Sequence, residues 1–436
     1  MSLFISRNFA DMKKTDRYLL FILFNMSCLL ANAQSRLLTI DDVDSIAMRR
    51  NLQLEAARME TYAAEGQLAQ ARKYENPEVQ LMHNVQNPIN RKWFDMGYDG
   101  QTDVQVSQPI AIGGQYKNKV RQARATLNAT KAAYEAEELN VRHEARVAFI
   151  ELYYTQQKLK VYDKEIASVE KIHKAYDEQS NKGNVSKMET FRVAAMLSQL
   201  RAEKAELQLN ANEQQNQLRL LLNLQEVTSI EPMLDENAAI RMVADRIAKL
   251  KPLLFTSNPA LLQSMVQTHP ELTQAKYQEE SAHHAIKAEK AEALPRIALN
   301  GEWDKNGCIG HNFFAIGATV SVPLWNRNQG NLRSAKAQYA QASIERQQRE
   351  NELQSSLLTH YQSTLQRLRL VEANQCHLNA DLDLLLTAAE EQFLKRNISV
   401  VEFVDLYDSY RDTNFMIADA KAQLLTSNEE LNKYAR

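Results

Sequence analysis

Val141–Tyr176 reads VRHEARVAFIELYYTQQKLKVYDKEIASVEKIHKAY. Within it Val141, Ala145, Ala148, Leu152, Thr155, Leu159, Tyr162, Ile166, Val169, His173 and Tyr176 recur at alternating four- and three-residue spacings, the a/d seam of a coiled coil. A second seam, close to the same heptad, passes through Leu353, Leu357, Tyr361, Thr364, Leu368, Val371, Gln375, Leu378, Leu382, Leu385 and Ala389. Around the first seam, Gln115 to Glu231 contains no proline and one glycine, Gly183, and Asn331 to Arg436 contains neither. A chain of 436 residues with only 9 prolines and 11 glycines, so unevenly placed, excludes a loop-rich barrel, a sandwich or a strand–helix alternation over half its length. Both tracts predict very long helices, the first running from Gln115 to about Ser180, or about 100 Å at roughly 1.5 Å per residue. A helix returning from Ser186 toward Leu224 spans only about 58 Å, and a helix from Thr39 to Tyr74 supplies the missing length.

The 52 basic and 54 acidic residues leave a net charge of -2, so nothing recommends nucleic acid as a partner. Lys13, Lys14 and Arg17 precede an apolar run from Tyr18 to Leu30 and then Ala31-Asn32-Ala33, the pattern of a secretory signal removed after Ala33, with Met12 as an alternative start. Cys28 would be the acylated residue of a lipoprotein, but Asn25 stands where such a signal carries leucine, and cleavage after Ala33 is the expectation. The mature chain then keeps Cys308 and Cys376 and is not a disulfide-stapled scaffold. No later run is long and apolar enough for a transmembrane helix, so any membrane insertion must use strands.

Self-comparison reveals a tandem duplication. With Asn51 set on His269, the chain aligns without a gap to Pro77 on Pro295, and Leu54, Ala57 and Arg58 meet Leu272, Ala275 and Lys276. Further on, Val120–Ala125 matches Leu332–Ala337, and Asn184-Val185-Ser186 with Glu189 matches Asn397-Ile398-Ser399 with Glu402. The first unit opens on the cap Thr39-Ile40-Asp41-Asp42 and the second on Asn258-Pro259. The first repeat is placed at 34–231, with strands at about 77–109 and a helical hairpin at about 115–224; a connector follows at 232–257. The second repeat takes 258–436, with strands at about 295–323 and a hairpin at about 331–436.

After Pro77 and Pro295 the period changes to two. Val79, Leu81 and Val85 oppose Glu78, Gln80, Asn84 and Gln86; Val104 and Val106 oppose Asp103, Gln105 and Ser107. Ile297, Leu299 and Trp303 oppose Arg296, Asn300 and Glu302; Phe314, Ile316, Ala318, Val320 and Val322 oppose Ala315, Gly317, Thr319 and Ser321. Four strands with one apolar and one polar or small face suit a membrane barrel with a wet lumen, although two hairpins on a soluble core would alternate alike. Trp93, Phe94, Tyr98, Trp303 and Trp325 are placed as interfacial aromatics. Four strands cannot close a barrel, so several copies must share one.

These features, with Ser107-Gln108-Pro109-Ile110 through Gly113-Gly114, Val322-Pro323-Leu324 through Gly330, and the turns Gly183-Asn184-Val185-Ser186 and Arg396-Asn397-Ile398-Ser399, resemble the TolC-like outer-membrane efflux protein family over essentially the whole mature chain. The resemblance implies a mainly α fold with a transmembrane β part: a duplicated helical-hairpin tunnel (α-barrel) and a twelve-stranded β-barrel shared by a homotrimer, four strands per protomer. It implies a passive exit duct in the cell outer membrane, surrounded by its lipid and extending into the periplasm. It also implies docking of the hairpin tips onto a periplasmic adaptor and an inner-membrane pump of the RND type. In that family acidic side chains following the second turn face the pore, and the matching positions are Glu402 and Asp405, which share a helix face. Arg396 replaces the family's glycine and Ile398 stands where an arginine often latches the mouth, leaving Lys395, Arg396 or Arg192 to supply another latch. Glu402 and Asp405 read equally well as solvated helix-start acids favoured by the dipole. The double glycine resembles the metal-exporting branch, while protein secretion and drug efflux share the same outer component.

No enzyme, cofactor or metal site is expected. Val147 occupies the place where a zincin string begun by His143-Glu144 needs its second histidine. Cys308 with His311 and Cys376-His377 are isolated pairs, and His283-His284 point to different helix faces. The competing reading from another class is a coiled-coil scaffold in the periplasm or at the surface, without a pore.

Overall fold

The structure, a computed structural model, describes residues 36–224, 229–255, 264–307, 310–375 and 382–434. The expected signal segment 1–33, the expected cap at Asn258-Pro259, and Cys308 and Cys376 fall outside the described residues. In chain order the elements are β1 (Arg36–Leu38), α1 (Ile40–Arg50), α2 (Leu52–Ala71), β2 (Glu78–His83), β3 (Thr102–Ile110), α3 (Gln115–Asn181), α4 (Lys187–Leu221), β4 (Ile230–Pro232), α5 (Glu236–Phe255), α6 (Pro270–Glu292), β5 (Arg296–Gly307), β6 (Gly310–Ser321), α7 (Gln329–Gln375), α8 (Leu382–Leu394) and α9 (Val400–Asn432). The connector is thus largely helical.

Thr39 begins α1 with a reciprocal capping box: its hydroxyl accepts the Asp42 N–H at 3.3 Å, and the Asp42 carboxylate accepts the Thr39 N–H at 3.0 Å. The single helix expected from Thr39 to Tyr74 is instead two, because Asn51 leaves the helical region at φ -63° and ψ 129°. Its buried amide donates to the Leu221 carbonyl at the end of α4 at 2.9 Å, satisfying one of that helix's orphan acceptors. His269, the residue aligned with Asn51, repeats the conformation at φ -64° and ψ 132° and caps α6 with Pro270 at its first position. The two aligned residues therefore share one backbone conformation, each directly before a helix. Uninterrupted, α3 runs for 67 residues.

The contacts gather into two compact units, and each repeat contributes to both. One comprises the chain up to Asn51, Arg142–Ile247 and Ser363–Glu429. Its apolar core joins Tyr162, Val169, Ile172 and Tyr176 of α3 to Val193 and Leu200 of α4, Phe393 of α8, and Phe403 and Tyr407 of α9. Also here, β1 and β4 pair in parallel.

The other unit comprises Leu52–Val141, Ala248–Gln362 and the chain from Glu430 on. It holds an antiparallel sheet in the order β2-β3-β5-β6, so the two hairpins join through β3 and β5. Register places Leu81, Val104, Trp303 and Phe314 in one row and Val79, Val106, Gly301 and Ile316 in the next, all on one face. On the other face Gln80, Gln105, Glu302 and Ala315 form a row beside Ser107, Asn300 and Gly317, and Asn300 donates to the Thr319 hydroxyl at 2.6 Å. None of the described sheet residues is buried, and Ile316 is 93% exposed. Among the described residues neither face rests on a core, unlike hairpins packed on a soluble core.

Candidate functional site

The two hairpin turns are built on one plan. At the first, Gly183 sits in the left-handed region at φ 75°, its N–H reaches the Ser180 carbonyl at 3.0 Å, and the Asn184 N–H reaches the Gln179 carbonyl at 2.9 Å. The Asn184 amide then donates to the Gln179 side chain at 2.9 Å. At the second, Arg396 takes the left-handed place at φ 61°, with matching bonds from Arg396 to Phe393 at 3.0 Å and from Asn397 to Gln392 at 2.9 Å. The Asn397 amide donates to the Gln392 side chain at 2.6 Å. Hydroxyl caps follow: Ser186 accepts the Met188 N–H at 3.2 Å, and Ser399 accepts the Glu402 N–H at 3.2 Å.

Arg396 does more than replace a glycine. Its guanidinium donates to the Asn184 carbonyl at 2.8 Å, tying the second turn to the first. Lys395, just past the end of α8, instead pairs with Glu391 of that helix at 3.3 Å, on the exposed surface. Val185 and Ile398 pack against the shared core, so Ile398 serves as an apolar plug at its turn. Behind the turns runs an aromatic ladder that the sequence did not reveal. Tyr176 stacks on Phe393 at 4.9 Å, Phe393 on Phe403 at 4.2 Å, and Phe403 meets Tyr407 at 4.3 Å. One turn further, the Ser168 hydroxyl donates to Glu390, and the Tyr407 hydroxyl reaches the same carboxylate at 3.2 Å.

Glu402 and Asp405 are both exposed near the start of α9. The Glu402 carboxylate folds back to accept the Ser399 N–H at 2.7 Å, completing a capping box. That backbone bond, helped by the Ser399 hydroxyl, holds the carboxyl below the usual carboxylate range and keeps it ionised. Asp405 lines a groove of about 450 Å³ between α4 and α9, together with Arg192, Met196, Asp408 and Arg411.

The aromatics predicted for the membrane interfaces occupy both ends of the sheet. Trp93, Phe94 and Tyr98 lie exposed in the loop joining β2 to β3, where the Tyr98 ring meets that of His311 at 4.0 Å, tilted by 45°. That loop is knit by Asp95, which accepts from the Asn87 amide at 3.0 Å, from the Asn90 amide at 2.5 Å and from the Gly97 N–H at 3.0 Å. Trp303 falls within the apolar face, and Trp325 is exposed just beyond the opposite end of β6. Among the described residues no helix is long and apolar enough to cross a membrane, and no three His, Cys, Asp or Glu side chains gather as metal ligands.

A family model described as outer membrane efflux protein matches residues 45–224. Over that segment the chain is similar to that family. Members of that family are outer-membrane channels rather than enzymes. The chain is 22% identical over 308 residues to the cobalt-zinc-cadmium resistance protein CzcC of Cupriavidus metallidurans, covering 71% of this chain and 68% of the relative. To the outer membrane efflux protein BepC of Brucella suis biovar 1 it is 22% identical over 307 residues, covering 69% of this chain and 64% of that one. A solved structure of CusC, described in terms of transmembrane channel formation, shares the fold with a TM-score of 0.72 at 17% identity, covering 91% of each chain.

Proposed function

We propose that three copies of the chain close one twelve-stranded barrel in the outer membrane and form a passive exit duct, fed by a periplasmic adaptor and an inner-membrane pump. The observation that carries this reading is the sheet, whose apolar face is uncovered and whose edge strands β2 and β6 each have a single neighbour among the described residues. Lipid cannot satisfy the free N–H and C=O groups of such edges, whereas neighbouring copies can. Gln80, Gln105, Glu302 and Asn300 would then face a wet lumen.

The hairpin turns Gly183–Ser186 and Arg396–Ser399 are the proposed docking tips, with Arg396 bonded to the Asn184 carbonyl as the latch. Glu402 and Asp405 are the proposed gate. Their capped, exposed placement serves a carboxylate ring as well as a helix start, because the Ser399 bonds fix and ionise the Glu402 carboxylate. Repetition by threefold symmetry would give rings that attract cations. The similarity to CzcC and this charge together favour divalent metal cations as cargo over drugs.

Extraction and conductance test the reading together. Heat-resistant trimers in detergent-extracted outer membrane and pores in planar bilayers are expected, and E402K/D405K should reverse or abolish cation preference while E402Q only weakens it. A soluble periplasmic monomer without conductance would favour the scaffold, and unchanged selectivity would remove the gate.

A further inference from the structure

Glu165 projects from α3 into the helical unit and is fully buried, with neither carboxylate oxygen hydrogen-bonded among the described residues. Its neighbours leave it in this position. Across on α9, Arg411 directs its guanidinium elsewhere: to Asp408 at 2.9 Å, to Glu203 of α4 at 3.5 Å and to Asp412 at 3.6 Å. Glu203 is further claimed by the Tyr162 hydroxyl at 3.2 Å and the Gln199 amide at 2.9 Å. One cation thus serves three other acids, and Glu165 is the fourth. Beyond it on α3, Ser168 is committed to Glu390 of α8 and Tyr407 of α9.

An ionised carboxylate without a donor in such a place is strongly disfavoured, while a neutral carboxyl fits beside Ile166, Val169 and Tyr162. Burial is the leading cause of its shift; Arg411 opposes it, Asp408, Glu203 and Asp412 reinforce it, and the group is pushed up to about 8. We infer that Glu165 is a proton-binding site that clamps α9 and α4 onto α3: protonated, it packs as a neutral core group, and its ionisation loosens α9. The helix so held carries Glu402 and Asp405. That consequence for the mouth rests on the channel reading, whereas the proton site itself does not.

The sign follows from linkage. Because the folded value lies above the ordinary carboxylate value of 4.5, the stability supplied by the proton is fully present below about 4.5 and is lost as pH rises through about 8. The test uses the purified full-length protein and two neutral variants, Glu165→Gln and Glu165→Met, the second guarding against an amide that packs poorly. The parent should show a protonated-carboxyl infrared band near neutral pH that disappears above about pH 8 and is missing from both variants. Its melting temperature should fall by several degrees between about pH 5.5 and pH 8.5, with that part of the fall lost in at least one variant. An infrared spectrum identical to the variants' at neutral pH, or variants that melt with the parent's full pH dependence, would overturn the assignment. In bilayers, ionisation should raise conductance only in the parent. A parent that forms no pores would defeat the channel reading while the infrared and melting results still decide the proton site.

Discussion

Arg396 occupies a backbone conformation that costs an L-residue about 1–2 kcal/mol, and Gly183 occupies the equivalent position without that cost. What offsets the strain is the guanidinium bond to Asn184, a contact glycine cannot make. Two substitutions separate these contributions. Arg396→Ala keeps the strain and loses the bond, so it should destabilise the turn by about 1 kcal/mol; Arg396→Gly also loses the bond but removes the strain, and should recover most of that stability. If the bond is the latch, both variants should leak equally in bilayers despite their different melting temperatures. Leakage that follows stability would instead make Arg396 a structural residue. The sequence already placed Arg396 as a departure and as one of three candidate latches. It could not choose among them, because the choice depends on which carbonyl of a turn more than two hundred residues away lies within reach.

The long helix α3 shows why the seam was legible and its neighbours were not. Val141, Ala145, Ala148, Leu152 and Val169 are buried as their heptad spacing requires. Phe149, Ile150, Tyr154, Glu165, Ser168 and Ile172 are buried too, off the seam. A two-helix coiled coil buries one stripe, but α3 also faces α9, whose core residues Phe403 and Tyr407 come from the other repeat. Periodicity reports the dominant stripe and says nothing of a second partner, so it does not mark Glu165 as buried. The aromatic ladder belongs to this second contact. Phe403→Ala should open a cavity in it and cost about 3–5 kcal/mol, and limited proteolysis should then cut first near Arg396. Cleavage spread evenly over the helices would mean that the ladder does not hold the turns.

For the molecule as a whole, the long helices and the strand faces were readable because each depends on periodicity along the chain. The break at Asn51 was less so, since its cause is the distant Leu221 carbonyl. The proposed assembly depends on strand edges, which no single sequence displays. Within one chain β3 and β5 lie between β2 and β6, separating the two edges by roughly 14 Å at the usual strand spacing. That is well beyond the reach of about 7 Å for a disulfide between Cα positions. Cysteines introduced together at Gln80 or Met82 of β2 and at Ala315 or Gly317 of β6, with Cys308 and Cys376 replaced by serine, can therefore be bridged only between copies. Mild oxidation of the outer membrane should yield covalent dimers and trimers, and nothing larger, for at least one pairing; monomers for every pairing would contradict a barrel shared by three chains.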